Sequence, residues 1–122
     1  MANPNIVEVV NINGKTDLIS LTSTGQTTLL SNAAASGKVL KINMIQVANI
    51  DGSNAADITV DLFRGATPYR LASTISVPAD STVVVLSKDT AIYLEEGDSI
   101  RCTASATGDL EAVCSYEIIT DA

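Results

Sequence analysis

Apolar and polar residues alternate with period two along most of the chain, and Gly, Pro, Asn or Asp interrupts the alternation about every 8–12 residues. Ile6 to Asn13 (Ile-Val-Glu-Val-Val-Asn-Ile-Asn) reads as a strand closed by an Asn13-Gly14 turn. Strands over Asp17 to Thr22 and Thr27 to Ser31 follow, and Asn32 to Gly37 reads as a loop. Past the Asp51-Gly52-Ser53-Asn54 turn, Ile58, Val60 and Leu62 alternate with Thr59, Asp61 and Phe63. Tyr69, Leu71, Ile75 and Val77 mark a further strand, and Val83 to Leu86 another that is too apolar for an exposed edge.

The clearest alternation lies near the end of the chain. Ile100, Cys102 and Ala104, then Leu110, Ala112, Cys114, Tyr116 and Ile118, flank Thr107-Gly108-Asp109, and the Tyr93 to Ile100 stretch carries an acidic Gly turn into the first set. Period two on both sides of a glycine predicts a β-hairpin. Its two apolar sets share a face only if Cys102 stands opposite Cys114, or in an even slip from that register. In a reducing cell two such thiols are expected to be small buried core groups, with a cross-strand disulfide as the alternative. The whole pattern predicts an all-β protein, an antiparallel β-sandwich that is jelly-roll-like or immunoglobulin-like, with roughly eight or nine strands. One domain over residues 1–122 with a short N-terminal arm, 1–5, accommodates it.

Lys38 to Ile50 is the longest uninterrupted segment, and simple alternation gives it two apolar faces. Leu40, Ile42, Met44, Ala48 and Ile50 fall on one, Val39, Ile45 and Val47 on the other. A strand with a solvated outer face does not place Ile45 and Val47 there. Val39, Ile45 and Val47 are therefore the expected interface with another subunit, unless Ile6 to Ile12 of the same chain covers them.

Composition narrows the function classes. The 122 residues are 46% hydrophobic but only 3% aromatic, so Val, Ile, Leu and Ala must fill the core, with Phe63, Tyr69, Tyr93 and Tyr116 as its only large rings. The formal charge is −7, and the seven Lys and Arg residues never cluster, which argues against nucleic acid as a partner. There is no run of roughly 18 apolar residues to cross a membrane, and no basic-then-apolar leader, so synthesis as a soluble protein in the cytoplasm is expected.

Candidate chemistry is sparse. Without any His, Ser-His-Asp, Cys-His and His-metal sites are excluded, and two Cys alone do not make a structural zinc site. Gly37-Lys38 lacks the upstream Gly and following Ser or Thr of a phosphate loop, since Asn32 and Val39 stand there. Glu95, Glu96 and Asp98 are the densest carboxylates, but neighbouring turn residues point apart, and a solvated turn is the expected role rather than acid–base work on a glycoside. Asp51, Ser53, Asn54 and Asp57 supply oxygens as a calcium loop would, yet lack its closing Glu, and a plain turn is expected. No catalytic residue, metal site or cofactor is assigned, and the chain is read as no enzyme.

Four stretches carry a family resemblance: Met1-Ala2-Asn3-Pro4-Asn5-Ile6-Val7, Gly37-Lys38-Val39-Leu40-Lys41-Ile42-Asn43, Ile75-Ser76-Val77-Pro78-Ala79-Asp80-Ser81-Thr82, and the Tyr93 to Ile100 turn with its expected hairpin. Over most of its length the chain resembles the small all-β virion structural proteins of tailed phages, particularly those infecting cyanobacteria and other marine bacteria. The resemblance implies a structural role on a particle and no active site, and a capsid decoration or cement protein on the outside of the head, made in the host bacterial cytoplasm and carried on the virion, is the expected form of it. It also implies self-association, with a trimer as the expected homo-oligomer, and contact with the major capsid protein or another virion protein. A neck, tail or fibre component is the alternative, as is a glycan- or host-surface-binding module, for which four aromatic residues without Trp make a poor stacking platform.

Overall fold

A computed structural model describes residues 4–120. Its nine strands are β1 (Asn11–Ser20), β2 (Thr27–Ser31), β3 (Lys38–Asn49), β4 (Ala56–Arg64), β5 (Thr67–Val77), β6 (Thr82–Leu86), β7 (Ile92–Leu94), β8 (Asp98–Ala104) and β9 (Leu110–Thr120). The pairing is that of a chain folded in half and rolled up. β1 pairs with β9, β2 with β8, β3 with both β6 and β7, and β4 with β5, all antiparallel. The result is a five-stranded sheet in the order β1-β9-β3-β6, with β7 beside β6 on the same edge of β3, facing a four-stranded sheet in the order β2-β8-β4-β5. Of the two expected sandwich types, this nesting is the jelly roll.

Alternation decides which residues meet between the sheets. β8 and β9 bury every second residue, Ile100, Cys102 and Ala104 from one sheet against Leu110, Ala112, Cys114 and Tyr116 from the other. Ile42, Ile45, Val47, Ile58, Val60, Val77 and Leu94 complete a core of aliphatic side chains with no exposed surface. Among the described residues Tyr116 is the only ring of that core. Tyr69 and Tyr93 are exposed, and Phe63 is buried on the outer side of β4, which corrects the expectation that all four rings are internal.

The expected hairpin is a second correction. β8 and β9 do not pair. Gly108, at φ 76°, carries the chain from one sheet across to the other. Cys102 lies between Val60 and Thr27, and Cys114 between Asp17 and Ile45. The two thiols stand on facing sheets rather than opposite each other in one, and both are free and buried. Both do face inward as expected, and burial pushes each thiol up to about 12.

The third correction concerns Asn13-Gly14, which makes no turn. β1 runs straight through it in unbroken register with β9, from Asn11 opposite Thr120 to Ser20 opposite Glu111. The segment expected as the first strand is instead an irregular lead-in up to Val10. The expected arm, 1–5, falls partly outside the described residues; Pro4, within them, is buried.

Candidate functional site

β3 holds the expected interface residues and moves them. Its register shifts by one between Ile42 and Met44, leaving Asn43 as an extra residue. A bulge reverses the alternation, so Leu40 and Ile42 point into the core before it, and Ile45, Val47 and Asn49 do so after it. Ile45 and Val47 have no exposed surface within a single chain, and the outer-face position assigned to them from alternation is corrected to the core. Val39 does lie on the outer face, opposite Ile119, and is 3% exposed. Pro4, Ile6 and Tyr93 line the hollow above it, so the lead-in of the same chain reaches this end of the sheet.

The registers fix what the outer face of the five-stranded sheet displays. One cross-strand row is Leu18, Val113, Gln46 and Val84, and the next is Thr16, Ser115 and Met44. Neither row contains a charge. Leu18 is 69% exposed and Val84 55%. The flanking rows bring the charges back, Glu111 beside Ala48 and Ser20 on one side, Glu117 beside Lys41 on the other. In a chain of formal charge −7 the two rows between them form an uncharged band with exposed apolar side chains.

The outer face of the four-stranded sheet is already satisfied. Asp61, 1% exposed, is ion-paired with Arg70 and accepts a hydrogen bond from Gln26 Nε2 at 3.5 Å. The Arg101 guanidinium lies 3.9 Å from the centroid of the Phe63 ring and covers it. This face spends its polar groups on itself. The contrast leaves the neutral band as the candidate interaction surface.

The carboxylates singled out in the sequence turn out to be staples. Asp98, buried, accepts from Arg64 Nε at 3.0 Å, from an Arg64 terminal nitrogen at 2.8 Å and from the Glu95 backbone N–H at 2.9 Å. Glu95 takes the same guanidinium at 2.8 Å, and Glu96 Oε2 accepts the Gly37 N–H at 2.6 Å. Asp98, then Glu95, hold the Arg64 pKa well above its ordinary value. The turn is thus pinned to β4 and to the loop before β3, rather than solvated as expected. Asp51 closes its own turn, accepting from Ser53 N–H at 2.8 Å, which holds its carboxyl below the ordinary value. Among the described residues no group of three or more Cys, Asp and Glu is placed to hold a metal ion.

Sequence reasoning missed two side chains that organise the ends of the sandwich. Asn32 Nδ2 donates to the Lys38 carbonyl at 2.9 Å and the Leu94 carbonyl at 3.1 Å. Asn49 Nδ2 donates to the Asn54 carbonyl at 3.0 Å and the Val77 carbonyl at 2.9 Å, while its Oδ1 accepts the Asp51 N–H at 2.9 Å. Each ties the end of one strand to the end of a strand in the opposite sheet. A concavity of about 380 Å³ opens on the flank between β1 and β2; Asp17, Asn32, Lys38 and Tyr116 are among its walls. Burial, then the hydrogen bond to Asp17, pushes the Tyr116 phenol up to about 12.

No family model matches the chain, and no curated protein does. Among solved structures, the chain is similar over 93% of its length to 91% of a chain in the acidic stable capsid structure of Helicobacter pylori bacteriophage KHP30, at 5% identity and a TM-score of 0.53. A match to 14% of the IMPa metallopeptidase in complex with T-antigen covers 97% of this chain at 17% identity, with a TM-score of 0.37 that assigns no fold. What the capsid likeness shows is that nearly the whole of this chain and nearly the whole of that one share a fold.

Proposed function

We propose that the chain is a non-enzymatic structural protein of a phage particle, bound to the outside of the head as a decoration protein. The observation that carries this reading is the fold shared with a chain of a phage capsid structure, end to end on both sides. Two further features support it. The resemblance of the Gly37–Asn43, Ile75–Thr82 and Tyr93–Ile100 stretches to small phage virion proteins points the same way, from sequence alone. An uncharged band holding Leu18, Val113 and Val84 on a chain of charge −7 suits a protein that works by packing.

The neutral band is the surface assigned to the particle, and the major capsid protein is the partner assigned to it. Placing Lys at Val84 and Val113 puts one charge inside the band and one at its β6 end without touching the core. V84K/V113K is expected to fold as the parent does and to lose binding to heads that lack the protein, measured by co-sedimentation. Undiminished binding of the folded variant to heads overturns the assignment of this face. Binding to tails, or to a glycan array and not to heads, overturns the decoration role.

A further inference from the structure

The four sheet edges are not alike. β6 and β7 are short and separated by the 3-10 turn Lys88–Thr90, β2 has five residues and a bulge, and β5 carries Pro68 and faces two register shifts in its pairing with β4. Interruptions of this kind keep an edge from pairing with another chain. β1 has none. It offers ten residues in unbroken register, exposed along almost its whole length, with Ile12 and Leu18 more than half exposed. The Leu21 N–H bonds the Leu110 carbonyl within the β1–β9 register, so odd residues of β1 turn their backbone groups towards β9. Ile12, Gly14, Thr16, Leu18 and Ser20 therefore aim theirs at the open side.

We propose that a second copy of this chain pairs antiparallel with β1 across a two-fold axis at Thr16, joining two five-stranded sheets into one. Continuity of the sheet faces requires even residues to stand opposite even ones, which leaves a small set of registers. The charges choose among them. With the axis at Lys15, Lys15 meets its own copy, and with the axis at Asp17, two carboxylates meet. With the axis at Gly14, both charged residues face asparagines, Lys15 opposite Asn13 and Asp17 opposite Asn11. Only the axis at Thr16 sets Lys15 against Asp17 of the second copy, twice, in pairs that are not hydrogen-bonded, where side chains approach most closely. That register also puts Leu18 opposite Gly14, which leaves room for it, and forms about ten backbone hydrogen bonds. Lys15, a residue that ordinarily blunts an edge, here selects one partner and one register.

The test uses the whole chain in solution and does not depend on any particle. Wild-type protein is expected to show a concentration-dependent dimer in sedimentation equilibrium. K15D and D17K, each checked for its fold by circular dichroism, are each expected to weaken self-association at least about tenfold, and an equimolar mixture of the two to recover it. T16C, placed on the axis, is expected to oxidise to a covalent dimer faster than K15C. A wild-type chain that stays monomeric at about millimolar concentration overturns the proposal. So does a dimer indifferent to both charge reversals, or a mixture of folded variants that does not associate.

Discussion

Replacing Asn49 tests whether the ends of the sandwich are held by one buried amide. Its side chain, on a residue 3% exposed, makes three hydrogen bonds, two donated and one accepted. Asn49→Ala removes all three and leaves the Val77 carbonyl buried without this donor. Each net hydrogen bond is worth about 1 kcal/mol, and an orphaned buried acceptor costs about 1–3 kcal/mol, so a loss of about 3–5 kcal/mol is expected. That is a large part of the roughly 5–15 kcal/mol available to a domain of this size. Asn49→Asp sharpens the test, because a carboxylate is isosteric but only accepts. It would face the Val77 and Asn54 carbonyls with no proton to give, so its folded pKa must lie above that of an unfolded Asp. A raised folded pKa means that the variant is most stable below about pH 4 and loses stability as the pH rises through the folded value. Urea unfolding at pH 4 and pH 7 reads both effects. If Asn49→Asp is as stable as wild type at pH 7, the amide does not organise this end, and the reasoning fails.

Three other outcomes follow from burial. Cys102→Ala with Cys114→Ala is expected to cost roughly 1–3 kcal/mol by denaturant unfolding, and the native thiols to resist alkylating reagents at pH 8 until the chain unfolds. Both thiols and the Tyr116 phenol have folded pKa values raised to about 12, so their contribution is complete below the ordinary thiol range near 9. It is lost as pH climbs from there towards 12, at about 1.4 kcal/mol per pH unit for each thiol, which alkaline urea titrations will show. Ile45→Thr with Val47→Thr, placed in the core by the β3 bulge, is expected to lower the urea midpoint sharply, whereas a surface pair would leave it unchanged.

Much of the architecture is legible in local alternation, because burial between two sheets writes period two into β4, β8 and β9 directly. What alternation does not record is which strand lies next to which. A glycine between two alternating runs looks the same whether the chain turns back beside itself or crosses to the facing sheet, and Gly108 does the second. Cys102 and Cys114 therefore face inward as expected, but from opposite sheets. Bulges are equally silent: the extra residue at Asn43 reverses the parity of everything after it, which moved Ile45 and Val47 from the expected outer face to the core. Asn13-Gly14 shows local turn chemistry overruled by ten residues of pairing with β9. The neutral band and the open β1 edge become visible only once strand order and register are known, since Leu18, Val113, Gln46 and Val84 are far apart in sequence and adjacent in space.

The direct test of the proposed role is cryo-electron microscopy of phage heads prepared with and without the protein. The account predicts jelly-roll density on the outer surface of the head, with the Leu18–Val84 face turned towards the capsid shell, and its disappearance when the protein is omitted. Particles whose head density is unchanged by the omission, or purified virions in which the protein is absent, contradict it.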